Sequence, residues 1–235
     1  MKARIIKAVI FDIDGILIDS VDLHAQAWQE TFKHFGREVD FGAVRHQIGK
    51  GADQLLPVFF SEKELQSIRK EKEAYRSDLF KRNYLPHVRP LPNVRELFQR
   101  ILADNRRILL ASSAQDDELE SYQKIARIED LIEAETSSND AERSKPHPDI
   151  FAAALKKAGD PAPSEVMVVG DTPYDTEAAA NLELPMIGLL SGGFLELELR
   201  GAGCVASYRD PADLLAHYSH SPLKEPLTAT RVKKA

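Results

Sequence analysis

The sequence predicts an α/β fold: a doubly wound parallel sheet with a block of helices inserted early in the chain. Three observations carry this. Three short runs are apolar at every position, and each ends on a polar residue. Helical periodicity fills the stretches between them. From about Leu17 to Leu91 only helical spacing is visible, with no convincing strand.

The runs are Ala8-Val9-Ile10-Phe11, ending at Asp12; Ile108-Leu109-Leu110-Ala111, ending at Ser112; and Val166-Met167-Val168-Val169, ending at Gly170-Asp171. A strand with one wet face alternates, whereas a strand covered by helices on both faces is apolar throughout. In the insert, Leu23, Ala27, Trp28, Thr31 and Phe32 recur at helical spacing, as do Leu55, Leu56, Phe59 and Phe60. Such residues read as the insert's own core rather than as a ligand box. Pro86, Pro90 and Pro92 mark the return linker.

Beyond the insert, Arg95 to Ala103 carries an apolar stripe at 97, 98, 101 and 102. Asp149 to Ala158 lies between Pro148, suited to a helix start, and Gly159, suited to a stop. Asp175 to Leu182 follows Pro173 in the same way. Strands alternating with helices build a doubly wound sheet. The expected division is an α/β core of residues 1–16 and 92–235 and a helical unit of residues 17–91. The basic tail after about Ser219 lacks periodicity and is expected to fray.

At 235 residues the chain can bury one core of about 150 residues and a smaller satellite. Its 43% hydrophobic and 29% charged residues are ordinary for a globular protein. The net charge of -6 argues against nucleic acid or acidic membrane as the main partner. Cys204, the single cysteine, cannot form an intrachain disulfide and reads as a small buried hydrophobe. The apolar run after the basic residues Met1 to Lys7 is too short for a signal peptide, and no stretch approaches the ~20 apolar residues of a membrane span. A cytoplasmic monomer or homodimer acting on a small molecule is expected.

In open α/β sheets ligands bind at the carboxyl edge. Asp12, Ser112 and Asp171 are therefore expected to meet there. In Asp12-Ile13-Asp14-Gly15, residues i and i+2 project to one side, and Gly15 lets the chain turn away. One carboxylate can act as a nucleophile, and the other can protonate a leaving oxygen and later deprotonate water. Close negative neighbours are expected to raise the second one's pKa. In Gly170-Asp171-Thr172-Pro173-Tyr174-Asp175, Asp171 leaves the strand and Asp175 falls on the first helical turn. Carboxylates suit Mg²⁺, which takes one or two of them plus water and phosphate.

Asp12, Asp171 and Asp175 bring about three negative charges, offset by Lys145, and a phosphate monoester adds about two more. Unit charges ~4 Å apart interact by ~4 kcal/mol at an effective dielectric near 20, so the site needs a divalent cation to hold that substrate. Lys145 lies in Ser144-Lys145-Pro146-His147-Pro148, where two prolines restrict the backbone after it. An ammonium there suits a phosphate and a nucleophilic carboxylate. Ser112 and the N–H groups around Ser113 can bond phosphoryl oxygens.

Together these residues resemble the haloacid dehalogenase-like superfamily over nearly the whole chain. Asp12-Ile13-Asp14-Gly15 is similar to its first motif, Ser112 to its second, Lys145 to its third, and Gly170-Asp171 through Asp175 to its fourth. Asp19-Ser20, His24 and Trp28 resemble the opening of an α-helical cap, as in the phosphoglycolate phosphatase and β-phosphoglucomutase-like branch. The resemblance implies a Rossmann-like core with residues 17–91 as the cap. It implies Asp12 as nucleophile and Mg²⁺ ligand, and Asp14 as acid/base with its backbone carbonyl on the metal. Asp171 is then a ligand, Asp175 a ligand directly or through water, and Ser112 and Lys145 phosphoryl-holding groups. Ile16, Val21 and Asn93 depart from the usual Thr, acidic residue and Gly, leaving the chemistry intact.

The implied activity is Mg²⁺-dependent hydrolysis of a small phosphate monoester through an aspartyl-phosphate. The family's dehalogenases and phosphonate-cleaving members lack the second Asp, so Asp14 argues against both reactions. The main alternative is a sugar-phosphate mutase resembling β-phosphoglucomutase, whose phosphate-binding cap Arg falls at Ala52 here, with Arg45 or Lys50 as residues that could substitute for it. A non-catalytic phosphate-ligand binder is a third reading, opposed by the complete catalytic set. The cap residues expected to contact substrate are His24, Arg45 and Lys50, with Lys72 and Arg76 as further candidates. Lys50, between Gly49 and Gly51, suits a closing loop.

Overall fold

The computed structural model describes residues 5–225. The chain begins with β1 (Ala8–Phe11) and the two-residue β2 (Ile18–Asp19). Four helices follow: α1 (Val21–His34), α2 (Phe41–Arg45), α3 (Ala52–Phe59) and α4 (Glu62–Leu79). The return strand β3 (Arg89–Pro90) leads into α5 (Val94–Ala103), β4 (Arg107–Ala111), α6 (Asp116–Ala126), β5 (Ala134–Thr136) and α7 (Asp149–Lys157). The remainder is β6 (Val166–Gly170), α8 (Pro173–Ala180), β7 (Met186–Leu189), α9 (Glu196–Ala202), β8 (Ala206–Tyr208) and α10 (Pro211–Ala216).

Six strands form one sheet in the order β5-β4-β1-β6-β7-β8. Every pairing in it is parallel. The three apolar runs are the central strands, and successive residues go to opposite faces. Val9, Phe11, Ile108, Leu110, Met167 and Val169 pack with Leu97, Phe98 and Ile101 of α5 and with Leu119 and Tyr122 of α6. Ala8, Ile10, Leu109, Ala111, Val166 and Val168 pack with Phe151 of α7 and Ala178 of α8. Two covered faces are the physical reason for strands without alternation. The outer strands β5, β7 and β8 carried no run the sequence reading could single out; β5 and β8 are three residues each and only partly buried.

The insert has its own apolar cluster, with Trp28, Phe32, Val44, Leu55, Leu56 and Phe60 at its centre. One difference from expectation is the antiparallel ribbon at its base, which pairs Ile18 with Pro90 and Asp19 with Arg89. Two-residue strands are too short for any periodicity to register. The motif departures also have structural counterparts. Ile16 and Val21 are buried core residues. Asn93 takes φ 58°, a left-handed position that Asn tolerates better than most residues.

The expected fraying after Ser219 does not hold through Glu225. Ser221 and Leu223 are buried, and Lys224 Nζ donates to both Asp104 carboxylate oxygens at 3.1 and 3.0 Å. A single anchoring leucine leaves no periodic trace. Residues 226–235 lie outside the described residues. Cys204 is buried beside Phe194 and Leu199. Among the described residues no helix is long and apolar enough to cross a membrane.

Candidate active site

The register sets Phe11 of β1 beside Leu110 of β4 and Val169 of β6. The polar residues that follow these strands therefore emerge along one edge. Asp12, Asp171 and Asp175 converge there, each offering an oxygen within 4.8 Å of the others. All three are buried, at 3%, 2% and 0% exposure. Lys145, equally buried, places its Nζ 2.7 Å from Asp12 Oδ1 and 2.7 Å from Asp175 Oδ1.

Local structure fixes each group. Thr172 caps α8, and Asp175 answers from the third helical position: its Oδ2 accepts from the Thr172 N–H at 3.1 Å and from the Thr172 hydroxyl at 2.6 Å. That turns Oδ1 toward Lys145. Asp171 lies between two glycines. A Cβ on Gly15 (φ +71°) would sit 2.4 Å from Asp171 Oδ2, and one on Gly192 would sit 1.6 Å from it. The Ser191 hydroxyl ties this loop down by donating to the Gly15 carbonyl at 2.6 Å.

Three buried carboxylates share one lysine. Burial, together with the Asp175 and Asp14 charges and against the pull of Lys145, pushes the Asp12 carboxyl up to about 7. Burial and the Asp175 and Asp12 charges hold Asp171 well above the usual carboxylate range. Burial disfavours the Lys145 ammonium, but Asp12 and Asp175 outweigh it and keep the lysine charged. Asp171 Oδ1 is buried without a hydrogen-bond partner among the described residues. An orphaned carboxylate oxygen in an electron-rich, all-oxygen cluster fits a hard divalent cation.

Asp14 departs from expectation. Burial raises its pKa, but His24, the Ser20 hydroxyl and the Arg76 charge outweigh that and hold it near about 2. Ser20 Oγ donates to Asp14 Oδ1 at 2.5 Å, and His24 Nε2 lies 2.9 Å from the same oxygen. The other His24 nitrogen is hydrogen-bonded to Arg76 of α4. Arg76 has only donors, so Nδ1 accepts and Nε2 donates to Asp14. The carboxyl pushed upward is therefore Asp12, not Asp14. The neighbouring acids are local in sequence, whereas the basic groups that lower Asp14 are delivered by the helical insert.

The remaining predicted residues divide. Ser112 is fully buried, and its Oγ accepts from the Ala114 N–H at 3.0 Å. Ser113 lines a cavity of about 320 Å³ that opens from Asp12, Asp14 and Lys145 toward the helical insert. His24 and Lys50 line it too. His24 also stacks on Phe80 at 4.0 Å, so it packs and holds Asp14 at once. Arg45 is outside the cavity lining and pairs with Asp22 at 2.6 Å. Lys72 is fully buried, with Nζ 4.5 Å from the Phe35 ring centre and 4.4 Å from that of Phe60. Asp53, Glu73 and Glu118 line the cavity and were not anticipated. Their only sequence signal is acidic residues on helical surfaces, which by itself reads as a solvated face.

Residues 9–189 match the family described as haloacid dehalogenase-like hydrolase. The chain belongs to that family. Among its relatives is a phosphorylated carbohydrates phosphatase from Thermotoga maritima, 25% identical over 77% of this chain and 83% of its own length. Another is a β-phosphoglucomutase from Bacillus subtilis, 25% identical over 79% of this chain and 84% of its own. The solved structure of a hydrolase from Pseudomonas syringae superposes with a TM-score of 0.82 at 28% identity, covering 91% of this chain and 98% of that one. As a haloacid dehalogenase-like hydrolase, the protein carries Asp12 and Asp171 directly after strands, with Asp175 on the first turn of α8 and Lys145 in the loop before α7 brought to them, at the sheet edge where ligands bind.

Proposed function

We propose that the protein is a Mg²⁺-dependent phosphatase acting on a small organic phosphate monoester through an aspartyl-phosphate on Asp12. The observation that carries this reading is the bridge of Lys145 to Asp12 and Asp175, 2.7 Å to each, with Lys145 and Asp12 lining the cavity. Lys145 fixes the Asp12 carboxylate and offers positive charge to an incoming phosphoryl group. Ser112, bonded to the Ala114 N–H, shapes the turn that carries Ser113, which lines the same cavity as Asp12 and Lys145.

Asp12 attacks phosphorus, and the bond to the leaving oxygen breaks. Asp14 delivers a proton to that oxygen, then takes one from the water that splits the acyl phosphate and restores Asp12. The contacts of Asp14 with Ser20 and His24 favour its ionised form, which the water step needs. To deliver a proton, Asp14 must first leave those contacts and take one up from solvent, so its protonation is coupled to the helices carrying His24 and Arg76. Residues 17–91 act, in this reading, as the cap. Asp12, Asp171, Asp175 and the Asp14 backbone carbonyl are the groups that would hold Mg²⁺. When bound, it supplies charge that polarises the phosphoryl group and relieves the repulsion among the carboxylates.

The test is phosphate release from sugar phosphates, glycerol phosphate, phosphoglycolate, nucleotides and p-nitrophenyl phosphate, with Mg²⁺ and with chelator. Metal-dependent release that Asp12→Asn abolishes supports the reading; silence across the panel overturns it. The β-phosphoglucomutase relative keeps a mutase as a second reading. It predicts isomerisation of a hexose phosphate only after addition of a bisphosphate, with little free phosphate.

A further inference from the structure

We propose that the cavity selects phosphate monoesters whose leaving group carries hydrogen-bond donors and no second anion, with Asp53 and Glu73 setting the preference. This rests on the phosphatase reading above. It is carried by the charge on the cavity wall beyond the catalytic groups.

That wall holds two cations, Lys50 and Arg76, against four acids, Asp53, Glu73, Glu118 and Glu142. Both cations make contacts on the wall. Arg76 is hydrogen-bonded to His24, faces Glu118 at 3.7 Å, and lies over the rings of Phe80 and Trp28 at 4.9 and 5.6 Å. Lys50 donates to Gln47 Oε1 at 2.7 Å and sits 4.5 Å from the Tyr174 ring centre. Arg76 is answered by Glu118, although its Nε keeps no hydrogen-bond partner among the described residues, and Lys50 keeps its charge against a neutral Gln47, so the wall's four acids still outnumber its two cations.

The acids are less spent. Glu118 is answered by Arg76. Asp53, at the start of α3, accepts through Oδ2 from the Ser144 N–H at 3.1 Å and from Gln54 Nε2 at 2.9 Å, which sets it across from the segment leading to Lys145. Glu73 lies three residues before Arg76 on α4, on a shared helix face. It is half-buried, and among the described residues its carboxylate has no hydrogen-bond partner. Burial and the nearby Asp53 charge both raise its pKa, in part against Arg69.

A substrate with its phosphoryl group at Asp12 and Lys145 projects its leaving group toward this wall. Hydroxyl and ammonium groups donate to carboxylates. A second anion meets four carboxylates against Lys50 and an Arg76 already facing Glu118. At separations of about 6 Å and an effective dielectric near 40, each such encounter costs about tenfold in binding. The same wall opposes the bisphosphate that a mutase would require.

The experiment compares kcat/KM with Mg²⁺ on matched pairs: a hexose 1-phosphate against its bisphosphate, and glycerol phosphate against phosphoglycolate, with phosphoethanolamine as the cationic probe. The expected result is a preference of about tenfold or more for the uncharged and ammonium-bearing esters, seated mainly in KM. Glu73→Gln and Asp53→Asn are expected to narrow it, and Glu73→Lys to reverse it. Equal or better turnover of the bisphosphate and phosphoglycolate overturns the selection and leaves the phosphatase intact. A preference untouched by all three variants overturns the assignment to Asp53 and Glu73. If no ester is hydrolysed, the phosphatase reading fails by itself. Calorimetric binding of the same pairs to the Mg²⁺-loaded protein then decides the charge preference, and equal affinities reject it.

Discussion

Gly192→Ala adds one methyl group at a point where the structure has no room for it. The new Cβ would lie 1.6 Å from Asp171 Oδ2, 2.5 Å from Cγ and 2.7 Å from the Asp171 Cβ. Non-bonded heavy atoms settle at about 3.5–4.0 Å, so the carboxylate must retreat by roughly 1.5–2 Å or the 190–192 turn must open. Gly15 crowds the same oxygen, since a Cβ there would lie 2.4 Å from Asp171 Oδ2 and 3.0 Å from the Gly192 Cα. Metal–ligand distances tolerate about 0.2 Å. The expected result is a 10–100-fold rise in the Mg²⁺ concentration for half-maximal activity, the range that accompanies loss of ligand positioning. Overpacking is expected to cost about 1–3 kcal/mol of stability, or roughly 2–12 °C in Tm. Gly192 does not occupy the left-handed region, so backbone strain does not confound the result. Gly201→Ala serves as the control, because a Cβ there meets nothing within 4 Å. The assay is Mg²⁺ titration of initial rates, with calorimetric Mg²⁺ binding alongside. A Gly192→Ala protein with wild-type Mg²⁺ dependence would refute the role assigned to Asp171.

Asp12→Asn is expected to lower turnover by at least about 10³-fold while the protein stays folded, checked by phosphate release and circular dichroism. Lys145→Met leaves buried carboxylates without their cation. Removing one partner of a buried pair costs about 3–5 kcal/mol, so Tm without metal is expected to fall by roughly 6–20 °C, and added Mg²⁺ to recover part of it. The pH dependence follows from the raised carboxyls. Asp12 titrates at about 7 in the folded protein against a usual 3.8, so between those values the folded state binds the extra proton. Stability of the metal-free protein is therefore expected to fall as pH rises from about 4 to about 7, with Asp171 acting in the same direction. Differential scanning calorimetry in chelator is the check, and a slope equal in wild type and Asp12→Asn would exclude Asp12 as its source. Asp14, held near about 2, acts oppositely: the stability it adds is present above its ordinary pKa and is lost as pH falls toward 2.

The central strands were readable because burial on both faces leaves its mark on each residue of a run, and a run is local. Asp12, Ser112 and Asp171 were readable for the same reason. A polar residue directly after such a run marks the carboxyl edge, and parallel pairing brings those edges together. Asp175 and Lys145 followed from short-range chemistry, a capped helix start and a proline-bounded turn. The ribbon of β2 and β3 and the anchoring by Leu223 left no local trace, being two residues and one residue long. Which carboxyl of the Asp12-Asp14 pair is pushed upward was a different kind of question. It depends on His24 and Arg76, 10 and 52 residues apart in their pairings with Asp14 and with each other. The electrostatics of a buried acid sum over everything packed within a few ångströms, and helix packing alone decides what arrives there. The same holds for the far wall of the cavity. Asp53, Glu73 and Glu118 are ordinary surface acids in sequence, and only the folding of α3, α4 and α6 around one cavity turns them toward a common ligand.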